Sequence, residues 1–175
     1  MRVEIRIAGT GGMGVVLAGV ILGHAAVIYG NLEAVQSQSY GSEARGTAAK
    51  SEVIISDKVI NYPKVRESDY LIVMSQKALD TYLKDAKTGS VILVDPDLVD
   101  TQKVRDSFEI VEVQAMKTAD ELGLRLVSNM VMLGALVKKS GLFPIDVLEK
   151  SVADIISKKS LQLDIDAIRA GASLV

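Results

Sequence analysis

Apolar and polar residues alternate at the start of the chain, with Val3, Ile5 and Ile7 set between Arg2, Glu4 and Arg6. That period of two predicts a strand. Gly9-Thr10-Gly11-Gly12-Met13-Gly14 interrupts it, and an almost wholly apolar stretch follows to Tyr29, long enough for a buried helix that Gly30-Asn31 closes. Residues 32–39 read as a second strand, 40–47 as a polar, glycine-bearing loop, and 48–56 as a third strand. Asp57-Lys58 predicts a tight turn into Val59-Ile60, hence a hairpin. The runs 69–74 and 90–94 are continuously apolar, as suits central strands covered on both faces, and 76–86 between them has helical spacing. One more strand is expected at 108–113. From Met116 onward the pattern is helical: a short piece at 119–122, a longer helix at 126–139 that Gly141 stops, a helix at 145–157 with Pro144 in its first turn, and a last one at 161–170.

Strand, loop, helix, and then strands alternating with helices predict an α/β fold. The expected architecture is three-layered and Rossmann-like: an open, mostly parallel sheet with helices on both faces and one antiparallel hairpin, all in a single domain over residues 1–175. No repeat, linker or low-complexity segment divides the chain.

Two loops carry the candidate chemistry. Gly9, Gly11 and Gly14 fit G-x-G-x-x-G between a strand and a helix, the context the pattern requires. Glycines permit a tight turn and close approach of another group, and the helix start offers free N–H groups to an anion. Three readings are open: packing of helix on strand, contact with a phosphate or other anion, or a dinucleotide site. The last calls for an acid at the end of the second strand. Glu33 stands instead at its beginning, and the end reads Gln36-Ser37-Gln38-Ser39, which weakens the dinucleotide reading. The second loop, Tyr40-Gly41-Ser42-Glu43-Ala44-Arg45-Gly46, follows the second strand and would lie beside the first if strands one and two are adjacent and parallel. Arg45 could grip a carboxylate or phosphate with its planar fork, Glu43 could orient it, and the alternative is a solvated turn with a surface ion pair.

Composition narrows the function. Lys and Arg total 20 against 22 Asp and Glu, a net charge of −2, so the electrostatic footprint of a nucleic-acid binder is missing. With no cysteine in the sequence, the chain holds no iron–sulfur cluster, thiolate metal site or cysteine nucleophile. The apolar stretch after Met13 is short for a membrane span, and no signal-peptide pattern precedes it, so the expectation is a cytoplasmic protein. His24, the single histidine, reads as a packing or interface residue, and a lone histidine builds no histidine-rich metal site. Asn129 reads as a cap or a buried hydrogen bond, Met130 and Met132 as core, Lys138-Lys139 as a helix end, and Asp95-Pro96-Asp97 as a turn. No catalytic residue and no metal ligand is expected. Hydrophobic residues make up 49% and aromatic ones 4%; so small and apolar a chain predicts an exposed apolar face that needs partners.

Taken together, the glycine loop, the 40–46 loop and Asn129-Met130-Val131-Met132-Leu133-Gly134-Ala135-Leu136 resemble the gamma subunit, or gamma domain, of pyruvate and 2-oxoacid:ferredoxin oxidoreductases. The resemblance spans roughly residues 2–142, in order. It departs at Met13, where the family usually has Gln, and at Thr47, where it usually has a second Gly. The first departure removes a side-chain amide from the glycine loop, and the second leaves the turn less permissive for positive φ. The resemblance implies a chain inactive alone that serves oxidative decarboxylation of a 2-oxoacid to an acyl-coenzyme A, with electrons passed to ferredoxin. Thiamine diphosphate, magnesium and iron–sulfur clusters would belong to alpha, beta and delta-type partner subunits, and coenzyme A would be the co-substrate. It places Gly9, Gly11, Gly12, Gly14, Glu43, Arg45 and Gly46 at the shared, cofactor-facing edge, and leans slightly to 2-oxoglutarate or branched-chain substrates. Two other readings remain open: a stand-alone Rossmann-type nucleotide-binding protein, and a scaffold whose loops serve only as interface.

Overall fold

The computed structural model describes residues 1–39 and 48–175. Its sheet has six strands: β1 (Arg2–Thr10), β2 (Glu33–Ser39), β3 (Ala48–Ser56), β4 (Ser68–Val73), β5 (Ala86–Val94) and β6 (Glu109–Glu112), in the spatial order β2-β3-β1-β4-β5-β6. β1, β4, β5 and β6 pair in parallel, and β3 runs antiparallel to both of its neighbours. Strands one and two therefore point the same way without touching, which corrects the expected adjacency. The antiparallel pairings are β2 with β3 and β3 with β1. The hairpin expected at 57–60 does not form, because the chain end occupies that place: the Met1 ammonium meets Asp57 Oδ1 at 2.6 Å and the Asp57 N–H donates to the Met1 carbonyl. Val59 is left 76% exposed.

The helices are α1 (Val15–His24), α2 (Gln76–Tyr82), α3 (Ala115–Leu122), α4 (Ser128–Ser140), α5 (Ile145–Ile155) and α6 (Leu161–Ser173). Pro144 caps α5 rather than entering its first turn. From β1 the chain crosses leftward to β2, and from β4 it crosses rightward to β5. Right-handed crossovers setting out in opposite directions put their helices on opposite faces. Accordingly, Val15, Ala18, Ile21 and Leu22 of α1 share a core with Ile5, Ile7 and Ile72, whereas Ala78 and Leu79 of α2 pack with Ala8, Leu71 and Val73 on the other side. The faces are loaded unequally. α4 joins the first core with seven apolar residues between Met130 and Val137, and it is buried all round, Met130 and Met132 included.

α6 packs on α4 at backbone contact distance. A Cβ built at Gly134 would fall 2.0 Å from the Ile168 carbonyl oxygen, and one at Gly171 would fall 1.8 Å from that of Val131. Nearby, Asp164 in the first turn of α6 is only 7% exposed. Burial raises its carboxyl pKa, against an opposing hydrogen bond from Ser160. Folding therefore favours the protonated form. Its stability contribution is complete below the unfolded-state value and declines as pH rises through the folded one. Asp164→Asn is expected to raise the denaturation midpoint at neutral pH and to leave it unchanged at low pH, as denaturant titration at several pH values will show.

The helix expected to run to Tyr29 changes character part way. Residues Ala25–Tyr29 form a π-helical segment, with the Gly30 N–H donating to the Ala25 carbonyl at 2.9 Å. At the junction the Ser151 hydroxyl donates to the Ile21 carbonyl, and His24 Nδ1 lies 2.9 Å from that same hydroxyl. Since the serine proton is committed, Nδ1 carries the hydrogen of this contact. His24 is a packing residue, as expected from its setting.

Candidate functional site at the switch point

In open α/β sheets the crevice beyond the carboxyl ends of the strands, where the strand order reverses direction, is where ligands bind. Here that point lies between β1 and β4. The Met74 N–H donates to the Ala8 carbonyl at 2.9 Å and carries the β1–β4 pairing to the rim. Above it sits the glycine loop, and on the β3 side of that loop a cavity of about 310 Å³ opens, lined by Thr10, Gly11, Gly12, Gly14, Val15, Val16, Leu17 and Ala49.

The four glycines divide into two pairs. Gly9 and Gly14 are packed: a Cβ on Gly9 would crowd Met13, Val15 and Met74 at 3.1–3.3 Å, and one on Gly14 would meet Asn129 Nδ2 at 2.3 Å. Gly11 and Gly12 are exposed, and a Cβ on either would meet nothing within 4 Å. Packing therefore explains the outer pair and leaves the inner pair facing open space. Gly12 has φ +86° and Gly14 φ +72°, left-handed values that cost an L side chain about 1–2 kcal/mol. Gly14 is the N-cap of α1 and supplies no side-chain cap, so the first N–H groups of the helix are left for an incoming acceptor. Met13, with no amide to offer, rests against the core through its side chain.

Glu43, Arg45 and Gly46, the other predicted site residues, lie outside the described residues. The strand ends on either side of them are at the same rim as the glycine loop: Ser39 pairs with Lys50, and Ala48 pairs with Thr10. Glu33 is at the opposite edge, across from Ser56, which is itself across from Arg2. With β3 inserted between β1 and β2, no acid among the described residues ends a strand adjacent to the glycine loop on that side, and Glu33 is not placed to serve as a ribose partner.

Of two further features of the rim, Asn129 forms the buried hydrogen bond expected of it, and Tyr82 escaped sequence reasoning. Asn129, from the first turn of α4, donates from Nδ2 to the Gly14 carbonyl at 3.1 Å, while its Oδ1 accepts the Met130 N–H at 2.9 Å. On the α2 face, Tyr82 donates to the Ala48 carbonyl at 3.2 Å. Burial raises the phenol pKa of Tyr82, the nearby Arg6 opposing it. Further along the rim Asp95 ends β5 as a turn, its carboxylate accepting from the Asp97 and Met116 N–H groups.

The residues present do not fit a redox cluster, since the sequence has no cysteine. No trio of His, Asp and Glu able to hold a metal ion occurs among the described residues. No helix among them is long and apolar enough to cross a membrane. An apolar strip does lie open along α1 and the π segment: Val20, Val27, Ile28 and Tyr29 are 38–56% exposed, beside Ala34 and Gln36 of β2.

Comparison with known proteins places this geometry. The family model described as pyruvate ferredoxin/flavodoxin oxidoreductase matches residues 4–174. The chain is 45% identical to the 2-oxoglutarate synthase subunit KorC of Methanothermobacter marburgensis, over 100% of its length and 97% of the relative's. It is 46% identical to the KorC of Methanocaldococcus jannaschii, over 98% and 92%. Among solved structures, the keto/oxoacid ferredoxin oxidoreductase gamma subunit of Geobacter sulfurreducens superimposes with a TM-score of 0.89 at 40% identity, covering 99% of this chain and 95% of that one.

Proposed function

Because this chain belongs to the pyruvate ferredoxin/flavodoxin oxidoreductase family, we propose that it is the gamma subunit of a 2-oxoacid:ferredoxin oxidoreductase that acts on 2-oxoglutarate in the cytoplasm. It works within a complex and performs no redox step itself. Thiamine diphosphate with its magnesium and the iron–sulfur clusters sit on alpha, beta and delta-type partners, which also deliver electrons to ferredoxin. The role of this chain is to wall the coenzyme A side of the shared site. The observation that carries this reading is the exposed pair Gly11 and Gly12 at the uncapped start of α1, at the switch point. Their N–H groups, with those of Val15 and Val16, suit a phosphate of the co-substrate, and Arg45 adds a cation from the neighbouring loop. Gly9 leaves room for close packing under the glycine loop and Gly14 supplies its left-handed backbone, while Glu43 and Gly46 are assigned to the same site by the family resemblance. The open apolar strip on α1 is consistent with a subunit covered by partners, since obligate interfaces are apolar. Full-length identity to two 2-oxoglutarate synthase subunits supports the substrate.

The test is reconstitution with the partner subunits, followed by 2-oxoglutarate- and coenzyme A-dependent reduction of ferredoxin. Activity that persists without this chain would refute the reading. Gly12→Ala, tested within the complex, adds backbone strain at a left-handed φ and meets no atom of this chain within 4 Å of its Cβ. It is expected to raise the KM for coenzyme A several-fold, for a loss of about 1 kcal/mol, while the KM for 2-oxoglutarate stays unchanged.

A further inference from the structure

The amide of Asn129 joins the glycine loop to the central helix, and its orientation is fixed from two sides. Turning the amide over would set Oδ1 against the Gly14 carbonyl and Nδ2 against the Met130 N–H, two repulsive contacts in place of two hydrogen bonds. The side chain is buried, with the residue 5% exposed. The Gly14 carbonyl receives the Ala18 N–H at 3.0 Å as well, so this one oxygen takes both the first rung of α1 and the Asn129 amide. It also belongs to the peptide that follows the left-handed φ of Gly14. Pulling that carbonyl inward turns the flanking peptides so that the start of α1 stays free at the cavity formed by Thr10, Gly11, Gly12 and Val15. The space an alanine Cβ would need at Gly14 is already filled by the asparagine nitrogen.

We propose that Asn129 is a positioning residue for the co-substrate: through the Gly14 carbonyl it holds the N–H groups of the glycine loop in the arrangement that receives a phosphate of coenzyme A. This rests on the proposed role of that loop. Asn129 touches neither substrate nor reacting atoms; it acts through Gly14, 115 positions away in sequence.

The experiment uses the assembled enzyme carrying Asn129→Asp in this chain. The substitution keeps the shape and replaces the donor by a carboxylate oxygen facing a carbonyl. At neutral pH the KM for coenzyme A is expected to rise about tenfold, on the scale of losing one buried hydrogen bond, with kcat within twofold and the KM for 2-oxoglutarate unchanged. A carboxyl buried against a carbonyl has a raised pKa, and once protonated it can donate again. The ratio of variant to wild-type KM should therefore shrink as pH falls, a recovery that general loosening of the fold would not produce. Should the aspartate variant fail to assemble, Asn129→Ala, which removes the donor without adding charge, is expected to shift the same KM in the same direction. An unchanged coenzyme A KM in an assembled Asn129 variant, alongside a raised one in Gly12→Ala, overturns the proposal and spares the reading of the loop. An unchanged KM in both overturns both. Equal loss in every kinetic parameter assigns Asn129 a purely structural role and overturns the proposal as well.

Discussion

Alanine at Gly171 is expected to destabilise the chain by about 3 kcal/mol, the upper part of the range for overpacked cores. Its Cβ would enter the Val131 carbonyl at 1.8 Å, and that obstacle is backbone in a helix buried on every side. It cannot turn aside as a flexible side chain would. α4 and α6 must separate, opening the contacts of Met130, Leu133 and Ile168. Alanine at Gly134, 2.0 Å from the Ile168 carbonyl, props apart the same two helices. The double variant should therefore lose less than the sum of the single ones, because the first substitution already makes room for the second. Denaturant titration of the three variants measures both the cost and the departure from additivity.

The second large effect is expected at Glu52. Arg6 and Glu52 face each other across β1 and β3 and form an ion pair at 2.8 Å, with side chains 3% and 12% exposed. Glu52 also holds Lys50 at 2.7 Å, and the second approach to Arg6 is Asp85 at 3.9 Å. Arg6 Nε already lacks a partner. Glu52→Ala leaves a buried guanidinium with the Asp85 carbonyl at 3.4 Å, the Tyr82 ring and the more distant Asp85 carboxylate, and it is expected to cost about 3–5 kcal/mol, as removal of one member of a buried pair does. Replacing both members, as Arg6→Met with Glu52→Leu, should cost much less, since the damage lies in the stranded charge rather than in the lost attraction. If the double variant is as unstable as Glu52→Ala, the stranded-charge account is wrong.

The contrast between these sites shows what a linear reading can reach. Strands β1, β4 and β5 were legible because their apolar residues alternate or run continuously along the sequence, and the helices because apolar faces and glycine stops mark them. Strand order was not, since pairing is decided by contacts far apart in sequence; the insertion of β3 between β1 and β2 left no local mark. Nor could Arg6 be matched to Glu52 before the register set them opposite one another. The hairpin expected after Asp57 failed because the carboxylate is held by the chain's own first residue. The π segment begins beside a contact no local pattern shows, the Ser151 hydroxyl on the Ile21 carbonyl 130 positions away. At the rim, the glycine pattern announced a turn opening a helix, yet the division between packed and open glycines became visible only with Asn129 and Met74 in place. Glu43, Arg45 and Gly46, which motif and family resemblance single out, lie outside the described residues.

The stitch between Gly14 and Asn129 also orders events in time. The residues that shape the glycine loop are made first on the ribosome, yet the asparagine that fixes them lies on α4, and α4 is seated by α6, which ends at Ser173. The turn at Gly14 is therefore expected to take its final shape only after α4 and α6 have been made and have packed together.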